Sequence, residues 1–95
     1  MRKVLSVIIP VYNMEKYIRQ CLESLMIREV LDRIEILVVL DGSTDRSGEI
    51  AMEFEKAHPE SVRVISKPNG GHGSAINTGM DNATGEYVKV LDSDD

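Results

Sequence analysis

The sequence predicts an α/β domain with three layers, in which a sheet of four parallel strands carries helices on both faces. Two observations predict this fold. Short apolar runs rich in β-branched residues alternate with segments whose apolar residues recur at helical spacing. The connections between them are short, so right-handed crossovers make the strands parallel. Because the first two runs are the most apolar and the third alternates with polar residues, the predicted strand order is 3-2-1-4.

The first half of the chain predicts a strand, a helix and a second strand. Residues 4–11 are nearly all apolar and predict a strand buried on both faces. Regular pairing is expected to stop at Pro10, which has no N–H to donate. Asn13 is a suitable N-cap for a helix over residues 14–28, whose apolar side chains form one stripe. Residues 34–40 predict the second strand.

The second half repeats the alternation and ends on an apolar run. The predicted elements are a helix over 46–57, a half-exposed strand over 61–66, a helix over 74–83 and a buried strand over 86–91. Thr44 or Asp45 is the expected cap of the first of these helices. Gly85 stands where a glycine commonly ends a helix.

Composition narrows the class of protein. The chain has 95 residues, a net charge of −5 and no basic run, which argues against a nucleic-acid partner. The single cysteine, Cys21, lies on a helical stripe and is expected to be a core thiol. It allows no internal disulfide, so a reducing, cytoplasmic location fits. No apolar stretch reaches the length of a membrane span, and the run after Lys3 predicts a first strand in place of a signal peptide.

Polar and aromatic residues follow three of the predicted strands. Tyr12 follows strand 1, Asp41 follows strand 2, and Asp92 and Asp94 follow strand 4. The carboxyl ends of parallel strands share one edge, and ligands bind there where the chain reverses direction across the sheet. Tyr12 could stack on a base, and Asp41 could accept hydrogen bonds from a base or ribose or could only brace its turn. The carboxylates of Asp92 and Asp94 suit Mg2+ or Mn2+.

A glycine-rich loop precedes the third helix. Residues 69–73 contain three glycines, and their N–H groups could cradle a phosphate at the helix N-terminus. The loop is neither a Walker loop nor a dinucleotide fingerprint. His72 could contact a phosphate or could simply lie on the surface.

Four blocks of the chain resemble the family-2 glycosyltransferases, in that family's order. They are SVIIPVYN (6–13), EILVVLDGSTD (35–45), NGGHGSAINTG (69–79) and LDSDD (91–95). The resemblance implies the GT-A fold, a Rossmann-like domain for nucleotide sugars. It also implies an inverting transferase that uses a nucleotide-diphosphate sugar, with UDP-sugar favoured, and Mn2+ or Mg2+.

The same resemblance implies a set of site residues. The nucleotide-sugar-binding residues are Pro10, Tyr12, Glu15, Asp41, Gly71, Asn77, Asp92 and Ser93. The metal contacts are Asp94 and, in support, Asp92. No catalytic residue is expected within residues 1–95, because the family's general base lies later in its sequences. Residues 1–95 are therefore expected to be the N-terminal, donor-binding part of a longer enzyme, inactive by themselves.

Two positions depart from the family pattern, and two other hypotheses remain open. Leu40 stands where the family often has an acid, and Ile76 where it often has an arginine, so base preference and donor are left undetermined. The alternatives are a non-enzymatic Mg2+-binding α/β module, such as a phospho-acceptor domain, and a fragment of a nucleotidyltransferase. The fourth strand is also expected to be an exposed edge through which the chain could self-associate.

Overall fold

The computed structural model describes residues 3–92 and contains the predicted elements in the predicted order. They are β1 (Leu5–Val11), α1 (Glu15–Ser24), β2 (Ile34–Asp41), α2 (Ser47–Ala57), β3 (Val62–Lys67), α3 (His72–Asn82) and β4 (Tyr87–Val90). A short 3-10 turn, which the sequence did not predict, leads into β2 over Leu31–Arg33. Within residues 3–92, no helix has the length and apolar character needed to cross a bilayer.

The four strands form one parallel sheet in the order β3-β2-β1-β4, which confirms the predicted topology. Alternate residues of the central strands face opposite layers. Val7 and Ile9 belong to the core that α1 and α2 cover, whereas Ile8 packs with Ala75 of α3 on the other face. The central strands are buried on both faces because helices cover both, as their unbroken apolar sequence predicts.

Pro10 does not end the pairing of β1, so that prediction is wrong. Pro10 is the register partner of Val39, and the ladder continues to Val11 and Leu40. The carbonyl of Ile8 accepts the N–H of Leu91, so the backbone of Ile8 and that of Pro10, two residues on, face the β4 side. Since β4 has ended at that level, the missing N–H of Pro10 faces no strand and costs the sheet nothing.

Three predicted boundaries also change. The helix α1 ends at Ser24 and not near residue 28; the Ser24 hydroxyl donates to the carbonyl of Cys21 at 2.7 Å and closes the last turn. The helix α3 begins two residues earlier than predicted, directly after Gly71, whose φ of +96° makes the turn. All four residues of β4 are exposed, although their apolar character predicted burial, because β4 pairs on one side only. Self-association through this edge stays a prediction.

Gly85 is required by a close approach and not by a helix end. Because α3 ends at Asn82 with Ala83 as its C-cap, Gly85 lies beyond the position of a helix-ending glycine. A Cβ on Gly85 would lie 2.8 Å from the carbonyl carbon of Leu5, the amide nitrogen of Ser6 and the Ser6 hydroxyl. The chain therefore passes directly over the backbone of β1 at this point.

Replacing Gly85 by alanine is expected to lower the free energy of unfolding by about 1–3 kcal/mol, because backbone atoms of β1 cannot move aside easily. Urea denaturation measures the loss. Gly73→Ala is the matched control, since a Cβ there meets nothing within 4 Å and alanine favours the helix that contains it. Equal stability of the two variants would contradict the close approach at Gly85.

Candidate nucleotide-diphosphate site

A pocket of about 440 Å3 lies at the carboxyl ends of β1, β2 and β4. It is lined by Pro10, Val11, Tyr12, Met14, Asp41, Asn69, Gly71, His72, Ala75 and Asp92. Three strand ends therefore deliver an aromatic ring and two carboxylates to one cavity, as the predicted strand order implies. The glycine loop and the first turn of α3 close its other side.

Asp41 forms the buried end of the pocket. Its side chain is about 5% exposed, and its Oδ1 accepts hydrogen bonds from Lys67 Nζ at 2.8 Å and the Gly70 N–H at 2.9 Å. Its Oδ2 accepts the Gly71 N–H at 2.9 Å. The Lys67 ammonium, followed by the Gly70 amide, holds the pKa of Asp41 below its ordinary value and outweighs the opposing effect of burial. Asp41 is therefore ionised at neutral pH.

Asp41 also fastens the glycine loop. Besides the two glycine amides, the Asn69 side chain donates to the carbonyl of Asp41 at 3.1 Å. A Cβ on Gly42, whose φ is +73°, would lie 2.8 Å from Asn69 Cβ, so the loop packs tightly on the turn after β2. Because Asp41 takes the N–H groups of Gly70 and Gly71, the prediction that these groups cradle a phosphate is wrong.

The opposite end of the pocket is open and acidic. The Asp92 carboxylate is half-exposed, and its Oδ1 lies 3.7 Å from His72 Nε2. Among residues 3–92, no group of three or more histidine, cysteine or acidic side chains is placed to hold a metal ion. Mg2+ and ions like it usually take one or two protein carboxylates and fill the remaining positions with phosphate oxygens and water, so Asp92 fits such an ion. The predicted contacts of Ser93 and Asp94 lie outside the described residues.

Tyr12 and Pro10 form one wall between the two ends. Tyr12 is 50% exposed, so its ring is not part of the packed core. Pro10 and Met14 extend the same wall as a mostly apolar surface. A half-exposed ring beside a buried carboxylate suits a flat polar ligand that stacks on one face and hydrogen-bonds at its edge.

Two predicted site residues lie elsewhere. Glu15 does not line the pocket; its Oε1 accepts the N–H of Arg46 at 3.1 Å, just before α2 begins. Asn77 lies on the exposed side of α3 and does not line the pocket either. A direct contact of Glu15 or Asn77 with a nucleotide sugar stays a prediction that the geometry of the pocket does not support.

The loops after β1 and β2 cap one another. Asn13 has a φ of +51° and is not the N-cap of its own helix; its Oδ1 accepts the Thr44 N–H at 2.7 Å. Asp45 accepts the N–H of Ser47 at 2.9 Å and that of Glu15 at 3.1 Å, so one carboxylate serves the starts of both helices. Local capping was predicted, and capping between the two helices was found. This network holds the two loops together beside the pocket.

Lys67 is a site residue that the sequence reasoning missed. It ends β3 and is the register partner of Asp41 at the end of β2. The signal was present, since the predicted order already placed strands 2 and 3 side by side with a lysine and an aspartate at neighbouring ends. Met14 and Ala75 were also missed as lining residues, although both lie within the quoted blocks or next to them.

The fold and the pocket define an α/β protein with a ligand crevice at the carboxyl edge of its sheet, and comparison with known proteins identifies the family. The profile of the family described as "Glycosyl transferase family 2" matches residues 6–95. An uncharacterized glycosyltransferase, EpsJ of Bacillus subtilis, is 47% identical over 92 residues, covering 97% of this chain and 26% of the relative. The chain belongs to glycosyl transferase family 2.

Two solved structures show the same fold with ligands bound. A mannosyltransferase from Pyrobaculum calidifontis, in complex with GDP-Man and Mn2+, matches with a TM-score of 0.81 at 28% identity, covering 99% of this chain and 28% of that one. TarS 1-349 of S. aureus, in complex with UDP-GlcNAc, matches with a TM-score of 0.80 at 36% identity, covering 96% and 26%. The chain thus spans only about a quarter of the length of these proteins.

Proposed function

We propose that residues 1–95 bind the nucleotide-diphosphate part of the sugar donor in a metal-assisted, inverting glycosyltransferase, with UDP-sugar as the donor. The observation that carries the proposal is the convergence of Tyr12, Asp41 and Asp92 on one pocket from three different strands. Family membership favours sugar transfer over the signalling-module and nucleotidyltransferase hypotheses. The two related structures bind nucleotide sugars, one with UDP and one with GDP as the nucleotide.

The base is placed at the buried end of the pocket. Tyr12 offers a ring for stacking, and ionised Asp41 offers an acceptor for an N–H of the base. A hydrogen bond to a charged acceptor away from water is stronger than one between neutral groups, so this contact would orient the base firmly. Pro10 completes the wall against which the base lies.

The diphosphate is placed at the open end, between Asp92 and the first turn of α3. Carboxylates there would repel a diphosphate unless a cation lay between them, so Asp92 and Asp94 are proposed as ligands of Mn2+ or Mg2+. A bound divalent ion would neutralise the charge that develops on the leaving diphosphate. His72, beside Asp92, can donate a hydrogen bond to a phosphate oxygen at the same end.

These residues supply donor binding but not the whole reaction. Inverting transfer requires a general base that takes the proton of the acceptor hydroxyl as it attacks the anomeric carbon. The pocket's carboxylates have other proposed roles, since Asp41 is saturated on one oxygen and Asp92 faces the diphosphate. We therefore place the base and the acceptor site in sequence beyond Asp95. A cytoplasmic location is part of this proposal.

Calorimetric titration of UDP, with and without Mn2+, tests the proposal on the chain itself. Mn2+ is expected to raise the affinity for UDP about tenfold or more, because it screens the diphosphate from the carboxylates. In Asp92→Ala and Asp94→Ala this increase should disappear. Asp81→Ala is the matched control, because Asp81 is an exposed carboxylate on α3 that does not line the pocket. Failure of the wild-type chain to bind UDP in either condition, at millimolar concentration, would refute a donor site within these residues.

A further inference from the structure

The contact between Lys67 and Asp41 limits how Asp41 can meet a ligand. Lys67 Nζ lies 2.8 Å from Asp41 Oδ1 and 2.7 Å from the carbonyl of Pro68, so its position is fixed from two sides. The side chains of the ion pair are about 15% and 5% exposed, respectively. The pair is therefore largely shielded from water and holds a defined geometry.

Counting hydrogen bonds shows what remains available on Asp41. A carboxylate offers about four accepting positions, two on each oxygen. Both positions of Oδ1 are taken, one by Lys67 and one by the Gly70 amide. Oδ2 accepts only the Gly71 amide and keeps one position. Since Asp41 lines the pocket, it can offer a ligand one accepting position on one oxygen.

We propose that Lys67 is a specificity-determining residue, which makes Asp41 a single acceptor and thereby favours a base with one N–H at its hydrogen-bonding edge, such as uracil, over guanine. This inference rests on the proposed function, in which Asp41 contacts the base. Lys67 acts through Asp41 and is a positioning residue.

The chemistry of the bases gives the reason. Uracil presents one N–H between two carbonyl groups, and a single accepting oxygen satisfies it. Guanine presents a ring N–H beside an exocyclic amino group, and these two donors pair best with both oxygens of a carboxylate. When Oδ1 is occupied, one guanine donor is left without a partner in a buried end of the pocket, which weakens binding. Removal of Lys67 would leave one accepting position on each oxygen and would admit guanine.

The test compares UDP, GDP and IDP by calorimetry at saturating Mn2+. The three ligands share ribose and diphosphate, and IDP differs from GDP only in lacking the exocyclic amino group. The wild-type chain is expected to bind both UDP and IDP about tenfold more tightly than GDP. In Lys67→Met, which keeps the length of the side chain but not its charge, these ratios should fall to about threefold or less through a gain in GDP affinity.

Two variants separate this role from a merely structural one. Lys67→Arg keeps a charged donor near Oδ1 and should restore the preference for UDP over GDP. Lys56→Met removes an exposed lysine of α2, changes the net charge equally and should leave all three affinities unchanged. A structural role for Lys67 would weaken UDP, IDP and GDP together and would leave their ratios constant.

The outcomes are distinct. Ratios that do not change in Lys67→Met, with UDP still bound, would overturn the inference and leave the proposed function standing. Wild-type binding of GDP as tight as that of IDP would overturn it without any variant, so the test does not depend on the stability of Lys67→Met. Failure of the wild-type chain to bind any of the three nucleotides would refute the proposed function and, with it, the inference.

Discussion

Asp41→Ala is expected to lower the affinity for UDP by about 10- to 100-fold, because a hydrogen bond between the base and a charged acceptor is lost. The substitution also leaves Lys67 Nζ and the amides of Gly70 and Gly71 without their acceptor. The glycine loop should therefore lose its attachment to β2 as well, and the pocket wall with it. Calorimetry with UDP and Mn2+ measures the affinity.

Asp41→Asn separates the two contributions. Its side chain can still accept from part of the loop but carries no charge, so it should bind UDP more tightly than Asp41→Ala and less tightly than the wild type. Asp81→Ala again serves as the control, since it removes an exposed carboxylate from α3. Unchanged UDP affinity in Asp41→Ala would place the base somewhere other than the buried end of the pocket.

Glu35→Ala is expected to lower the free energy of unfolding by about 2–4 kcal/mol, because it leaves buried donors without an acceptor. Glu35 Oε2 accepts the Ser6 hydroxyl at 2.6 Å, the Thr84 N–H at 2.8 Å and the Thr84 hydroxyl at 3.1 Å. The Ser6 hydroxyl in turn accepts the N–H of Gly85. This network fastens the connection between α3 and β4 to β1 and β2, at the opposite edge of the sheet from the pocket. Urea denaturation measures the loss.

Glu35→Gln provides the matched control and a pH dependence. Burial alone would raise the pKa of Glu35, but hydrogen bonds from Ser6 and Thr84 outweigh it and leave this pKa below the ordinary value. A lowered pKa means that the ionised carboxylate stabilises the fold above the pKa of the unfolded chain, and this contribution is lost as the pH falls through the folded value. The stability difference between wild type and Glu35→Gln, about 1 kcal/mol at pH 7, should therefore shrink toward about pH 3. A difference that grows on acidification would contradict the network.

The sequence predicted the topology because the period and apolar character of each strand report its place in a sheet. Val7, Ile8 and Ile9 are buried in succession, which only a central strand with helices on both faces permits. The same reasoning brought Tyr12, Asp41 and Asp92 to one edge. It failed at Val88 and Val90, whose apolar side chains are exposed, because composition reports what a strand can bury and not what surrounds it.

The details of hydrogen bonding were less accessible to the sequence. Asn13 and Asp45 were read as local caps because that is their commonest use, yet each side chain serves the neighbouring loop. Similarly, Gly70 and Gly71 were read as donors to a ligand, but their amides are taken by Asp41. Such choices depend on which groups the fold brings within 3 Å of each other, and residue type alone does not determine this.

The parallel pairing of β1 with β4 has a consequence for how the chain folds. Leu5 pairs with Tyr87 and Ile8 with Val90, so the last strand joins the first across nearly the whole chain, whereas β1 pairs with β2 across a single helical connection. Because contacts between distant segments form late, β1, β2 and β3 should associate before β4 docks. Asp92 follows β4, so the pocket becomes complete only at this last step. A nucleotide that binds the finished pocket would then pull the folding equilibrium forward, and its greatest effect would be to slow the detachment of β4.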